Sequence, residues 1–323
     1  MIQVSNNFNA YELNKWSCLH VSGADADSFL QSQFSNDLNS QELPSATYGL
    51  WLNAKGRVLA DSIILRYSKN NCYVFSENSP ELAILEHLNN HIIADEVIIN
   101  RFNLAGCLML QKNKFEDLYQ SLGIEGLIDK SKVPFICVEN VKIKIFRLPA
   151  RVFPENFDIL AFADSALHNS AINWIRSKSL RLMSFSQFHL ARIKSSIPLI
   201  PNEIGPSDLA AEGNLVPNAV SLTKGCFLGQ EVVARLHNLG NPQRQLFVMT
   251  INTRGAFNDM RLPYKIVIED KNLGEIRAIY EHHQDPHVFY AVAILKLRYL
   301  ETIKKSFMIK DVKIISICSF SDF

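Results

Sequence analysis

Helical periodicity ends at Pro242. Downstream, the runs 246–251, 266–269, 275–280, 288–295 and 312–317 are strand-length, apolar and separated by turns. Segments of that kind predict short strands rather than helices. The chain is therefore expected to close with a small β-barrel, and everything with a helical period must lie before it.

Upstream, helices and strands interleave. Ser22 followed by Asp25 forms a capping-box pattern, and Ala26, Phe29, Leu30 and Phe34 recur at helical spacing, so a first amphipathic helix is predicted to about Leu38. The runs 48–52 and 58–67 flank a polar turn holding Gly56 and read as a hairpin. A strand at 72–75, a helix opened by Pro80 with Leu82, Leu85 and Leu88 on one stripe, and a β-rich stretch at 97–102 complete this part. From Leu104 the alternation starts over: 108–110, a helix over 115–122, then 133–138, 141–148, 157–162 and a helix over 166–175. Ser184 with Gln187 gives a second capping box opening a helix through Phe188 and Ile193, after which Pro198 and Pro201 force an extended segment. The expected fold class is α+β. Its expected domains are a first α+β unit over 1–103, a second over 104–241 and the barrel over 242–323.

Composition narrows the function classes. Lys plus Arg number 33 against 32 Asp plus Glu, a net charge of +1, so the basic excess of a chain that grips nucleic acid through many phosphates is missing. No strong direct nucleic-acid binding is expected. No apolar run reaches 18 residues and 1–15 has no leader pattern, so neither a membrane partner nor export is expected, and a cytoplasmic protein is the reading. The cysteines at 18, 72, 107, 137, 226 and 318 form no Cys-x-x-Cys pair, which fits a reducing compartment, and all but Cys226 sit in apolar or strand-like runs. His87 and His91 are four apart but lack the intervening glutamate of a zinc helix, and read as a surface helix face. His282, His283 and His287 fall in a turn. No metal site is expected.

The densest chemistry lies in 224–235: Lys224, Gly225, Cys226, Phe227, Leu228, Gly229, Gln230, Glu231, then three aliphatic residues and Arg235. Two glycines four apart allow a tight turn and close approach of backbone to a ligand, and a helix is predicted from Gln230 to Leu236. A lysine and a helix N-terminus beside Cys226 both favour thiolate over thiol. The residues alone leave two readings of the thiol open, an activated nucleophile or redox group, or a cysteine wedged under a glycine turn. Lys224 is likewise either its activator or an ordinary surface lysine. Glu231 and Arg235, one helical turn apart, suit an ion pair worth about 0.2–0.5 kcal/mol, with Arg235 also able to face a cleft.

This segment resembles the Lys-Gly-Cys-aromatic-x-Gly-Gln-Glu-x3-Arg signature of the YgfZ folate-binding protein family, relatives of the glycine-cleavage T-protein. Trp16 with 21–37, the turn 53–61 and the stretch 187–198 resemble family segments in order and spacing, while 103–180 resembles them least. The resemblance implies a T-protein-like fold around a central folate channel, with tetrahydrofolate or a one-carbon derivative as cofactor. It implies Trp16 and Phe188 flanking the pterin ring, Phe188 standing where Trp is usual, with Gly225, Gly229, Gln230 and Arg235 as further cofactor-binding positions. Cys226 and Lys224 become the catalytic candidates. The implied role is support of iron–sulfur enzymes or their assembly factors and, through them, tRNA modification. A folate-dependent aminomethyltransferase and a non-catalytic scaffold are the alternatives. Two departures stand out: Ser195-Ser196 replaces the usual Ala-Gly, and Ala60 precedes Asp61 where the aminomethyltransferases carry adjacent carboxylates.

Overall fold

The computed structural model describes residues 8–127, 134–139, 142–253, 261–282, 285–305, 308–309 and 312–323. The elements in chain order are β1 (Ala10–Glu12), β2 (Ser17–Ser22), α1 (Ala26–Gln33), β3 (Ser45–Leu52), β4 (Val58–Ser68), β5 (Asn71–Ser76), α2 (Glu81–Asn89), β6 (Ile98–Arg101), β7 (Gly106–Gln111), α3 (Phe115–Leu122), β8 (Phe135–Glu139), β9 (Lys142–Pro149), β10 (Phe157–Phe162) and α4 (Ser165–Ser177). They continue with α5 (Phe185–Lys194), α6 (Val216–Ala219), α7 (Gln230–Leu239), β11 (Arg244–Thr253), β12 (Tyr264–Ile268), β13 (Lys271–Glu281), β14 (Val288–Lys296), α8 (Leu300–Lys305), β15 (Met308–Ile309) and β16 (Val312–Ser319). Among the described residues the strands form three sheets, and the fold is mixed α+β as the periodicity predicts.

The chain divides into two compact units, one of Met1–Trp51, Ala60–Ser184 and Ala219–Leu228, the other of Leu52–Leu59, Phe185–Asn218 and Gly229–Phe323. The first holds two five-stranded sheets, ordered β3-β4-β5-β2-β6 and β1-β7-β10-β9-β8. The tip joining β3 to β4 is counted with the second unit. In the second sheet, Leu108, Leu110, Leu160 and Phe162 are sealed by Phe115, Leu118 and Tyr119 of α3 and by Ala171, Ile172 and Ile175 of α4. Each such large side chain, fully buried, contributes about 1.5–3 kcal/mol. Asp164 caps α4, its carboxylate accepting from the Ala166 and Leu167 N–H groups at 2.8 and 3.0 Å.

Helix α1 is shorter than its apolar pattern. It ends at Gln33, because Phe34 turns extended and bridges to Trp51, the two rings packing 4.9 Å apart. Gly49 makes room for that ring, since a Cβ there would lie 2.6 Å from Phe34. The capping box expected at Ser22 and Asp25 does not form: Ser22 is still in β2, and the Asp25 carboxylate accepts from the Glu96 N–H instead.

The second unit holds the C-terminal sheet, six antiparallel strands ordered β12-β13-β14-β11-β16-β15. Its edge strands β12 and β15 approach within 8 Å between α-carbons, so the sheet curls toward closure. Phe247, Met249, Ile251, Ile266, Ile276 and Ala291 share its core with Ile303, carried by the short helix α8 that the fading periodicity had hidden. Helix α5 stops in a Schellman turn, with the Ile197 N–H on the Arg192 carbonyl and the Ser196 N–H on that of Ile193. Ser196 takes the left-handed position at φ 56°. The proline segment that follows is extended only briefly; it then turns, closed by the Glu203 N–H on the Leu199 carbonyl at 2.7 Å.

Candidate functional site

Residues 219–228 run beside α1 in the first unit. Ser35 Oγ donates to the Ala219 carbonyl at 2.6 Å, the Ser221 N–H to that of Ser35 at 3.0 Å and the Leu228 N–H to that of Ser32 at 3.1 Å. Lys224 completes this attachment. Its Nζ, on a residue only 8% exposed, donates to the carbonyls of Gln31, Phe34 and Asn36 at 2.6, 2.7 and 3.0 Å. These acceptors sit at and just past the C-terminus of α1, where carbonyls lack helical partners and a cation is favoured. Burial pushes the ammonium down to about 8, with the Asp37 carboxylate pulling the other way. The first role the geometry gives this lysine is to staple the loop to α1.

The staple presents Cys226 to solvent. Cys18, Cys72 and Cys107 are buried, and burial drives each of their thiols up, while Cys318 is half-buried. The side chain of Cys137 lies outside the described residues. On either side of Cys226 the loop behaves differently: Phe227 is buried under the lysine, its ring 5.3 Å from Nζ, whereas a Cβ placed on Gly225 would meet nothing within 4 Å. Trp16, half-buried immediately before β2, belongs to the same unit.

The other signature residues belong to the second unit. Gly229 takes φ 82° at the start of α7, and a Cβ there would fall 2.7 Å from the Asn53 carbonyl oxygen and 3.1 Å from the Gly56 Cα. No side chain fits that contact. The predicted helix is α7, three residues longer than expected. Gln230 is half-exposed on its first turn; Glu231 and Arg235 are exposed, and no ion pair joins them, so the expected one-turn bridge does not form. Phe188 is buried on α5, its ring edge-on to His189 at 5.6 Å. Nearby, Arg192 holds Glu203 with a two-pronged ion pair at 2.8 and 2.7 Å, and Tyr280 donates to the same carboxylate at 2.8 Å.

Back in the first unit, the lone carboxylate Asp61 is buried and fully engaged. Arg151 Nη1 donates to Oδ2 at 2.7 Å, the Tyr48 hydroxyl to the same oxygen at 3.0 Å and Ser79 Oγ to Oδ1 at 2.6 Å. The guanidinium also lies over the Tyr48 ring at 3.8 Å. Tyr48, Ser79 and Arg151 carry no motif, and sequence reading passed over them. Only the fold brings them to Asp61.

The GCVT N-terminal domain model matches residues 2–155. The tRNA-modifying protein YgfZ of Buchnera aphidicola from Schizaphis graminum is 23% identical over 321 residues, covering 96% of this chain and 90% of that protein. The Neurospora crassa homolog of the mitochondrial iron-sulfur cluster assembly factor IBA57 is 25% identical, covering 74% of this chain and 52% of the relative. In three dimensions the chain is similar to the glycine cleavage system aminomethyltransferase T of Bartonella henselae, with a TM-score of 0.71, 14% identity and coverage of 96% of this chain and 86% of that one. The chain is thus similar to YgfZ proteins in sequence and to a T-protein in fold.

Two features of this chain bear on chemistry. Its Asp61 accepts from Arg151, Tyr48 and Ser79 at once, and a second carboxylate, Glu77, lines the same pocket. Its His87, read from sequence as a surface residue, is instead buried: the ring packs against Trp51 at 5.8 Å and His91 at 4.8 Å, and burial lowers it to about 4. Helix α2 therefore turns this histidine inward. Among the described residues no group of three His, Cys, Asp or Glu side chains is placed to hold a metal. His282 packs against Tyr290, and His283 lies outside the described residues.

Proposed function

We propose that this chain is a tetrahydrofolate-binding protein that supports iron–sulfur enzymes or their assembly factors and, through them, tRNA modification. The observation that carries this reading is the exposed Cys226 on a loop stapled by Lys224, within a chain similar to proteins named for tRNA modification and iron–sulfur assembly. A thiol held at the surface by a buried cation is arranged to meet something outside the protein; a packing cysteine would be buried, as Cys18, Cys72 and Cys107 are.

The residues present fit a pterin in limited respects. Trp16 is half-buried, and the space beside Gly225 is open. We assign ring stacking to Trp16 first, with Phe188 as the second aromatic, and loop contacts to Gly225, Gly229, Gln230 and Arg235. The folate would supply one-carbon carrier chemistry. Cys226 is the reactive group of this reading, and Lys224 fixes its position. Aminomethyl transfer is the less favoured reading because Asp61, the single carboxylate at its turn, is tied to Arg151, Tyr48 and Ser79.

Titration with tetrahydrofolate tests the ligand. Trp51 and Trp174 are buried, so a saturable change in tryptophan fluorescence that disappears in Trp16→Phe supports the assignment, and no saturable response removes folate from the function. Complementation tests the thiol. Cys226→Ala should fold normally yet fail to restore iron–sulfur enzyme activity in a strain lacking the protein; full restoration would take Cys226 out of the mechanism.

A further inference from the structure

The second unit contains a cleft of about 850 Å³ that the thiol loop does not contribute to. Its walls carry Leu209, Leu236 and Leu297, and four cations reach it, Arg57, Arg244, Lys296 and Arg298. Topology gathers them: Arg57 is on the tip between β3 and β4, Arg244 opens β11, Lys296 closes β14 and Arg298 follows it.

Arg244 and Lys296 are direct partners across the β11–β14 ladder. Like charges at opposed positions of an antiparallel pair repel and destabilise the sheet. Arg244 is relieved by Glu212, which it grips through Nε and Nη2 at 2.9 Å each, and by the fully buried Asp208 at 3.1 Å. Asp208 is shared with Arg277, also at 3.1 Å. Among the described residues Glu212 is the only carboxylate lining the cleft, and it is consumed by this pairing.

The other three cations have no carboxylate within 4 Å among the described residues. Arg57 donates to the Ser207 carbonyl at 2.7 Å, Lys296 to that of Asn272 at 2.8 Å, and the Arg298 guanidinium lies 4.7 Å from the Tyr299 ring centroid. In a chain of net charge +1, three uncompensated positive charges around one cleft are a local concentration. Guanidinium forks beside an ammonium suit phosphate and carboxylate oxygens, and a volume of this size suits a small molecule.

We propose that this cleft binds a small multivalent anion, a molecule carrying two or more phosphate or carboxylate groups. Such a ligand would supply the negative charge that Arg57, Lys296 and Arg298 lack. The proposal does not depend on folate binding or on Cys226.

Isothermal titration calorimetry of the full chain with inorganic tripolyphosphate and, separately, with triglutamate tests it. The expected result is saturable one-to-one binding of at least one probe, weakened on adding salt. Tripolyphosphate alone would identify phosphate as the recognised group, and triglutamate alone would identify carboxylate. The double variant Lys296→Gln with Arg298→Gln should bind at least tenfold more weakly at an unchanged melting temperature. Lys313→Gln is the matched control: it pairs with Asn252, eight residues along β11 from Arg244 and so roughly 25 Å away, and should keep wild-type affinity. Absence of saturable binding by both probes, or an equal loss in the Lys313 variant, would overturn the proposal.

Discussion

Arg151 reaches across ninety residues of sequence to place its Nη1 2.7 Å from Asp61 Oδ2. Both side chains are largely buried, and Glu77 lines the same pocket. Removing the cation alone leaves a buried carboxylate, and Arg151→Met should destabilise the protein by about 3–5 kcal/mol. Adding Asp61→Asn to that variant should recover a large share of the loss. A double-mutant cycle by urea unfolding measures both, and additive single effects would show that the pair does not couple.

Lys224→Met keeps the stem of the side chain and deletes its three donors. The carbonyls of Gln31, Phe34 and Asn36 lose their common partner, and a loss of about 2–3 kcal/mol in unfolding free energy is expected. A change below 0.5 kcal/mol would show that the staple contributes nothing.

His87 gives the protein an acid limb. Its folded pKa is about 4 against an ordinary 6.5, so below pH 6.5 the unfolded chain takes up a proton that the native protein refuses. Stability conferred by the neutral ring is complete above pH 6.5 and is lost as pH falls toward 4, by about 3 kcal/mol. Unfolding curves at pH 7.5 and 4.5 should therefore differ less in His87→Gln than in wild type, and an unchanged difference would contradict the assignment.

Ser196 carries the left-handed C-terminal turn of α5 at φ 56°. Glycine adopts that conformation without the Cβ penalty, and Ser196→Gly should stabilise by about 0.5–1 kcal/mol despite freeing the unfolded chain. The Ser196 hydroxyl contact to the Phe320 carbonyl is long, 3.4 Å, and its loss should subtract little. A lower midpoint in urea would refute this.

The elements legible in sequence are those whose pattern is local. Helix α3 and strand β10 fall on the predicted 115–122 and 157–162, and the α+β class followed from such segments. Strand β2 was missed because it lies between β5 and β6, buried at most positions and therefore with little alternation to read. The capping box at Ser22 failed because Asp25 found a backbone partner 71 residues away. Of the candidate site, the signature was visible as a density of unusual residues, yet what Lys224 does was not. Its acceptors are three backbone carbonyls, and a carbonyl has no residue identity for a sequence pattern to register.

The two glycines of the signature answer to different constraints. Gly229 is shut in by the Asn53 oxygen, while Gly225 borders empty space. A saturation library read once for soluble yield and once for cellular rescue should separate them. At 229 every replacement drops out of both screens, whereas at 225 the soluble survivors reveal how large a visitor that space must admit.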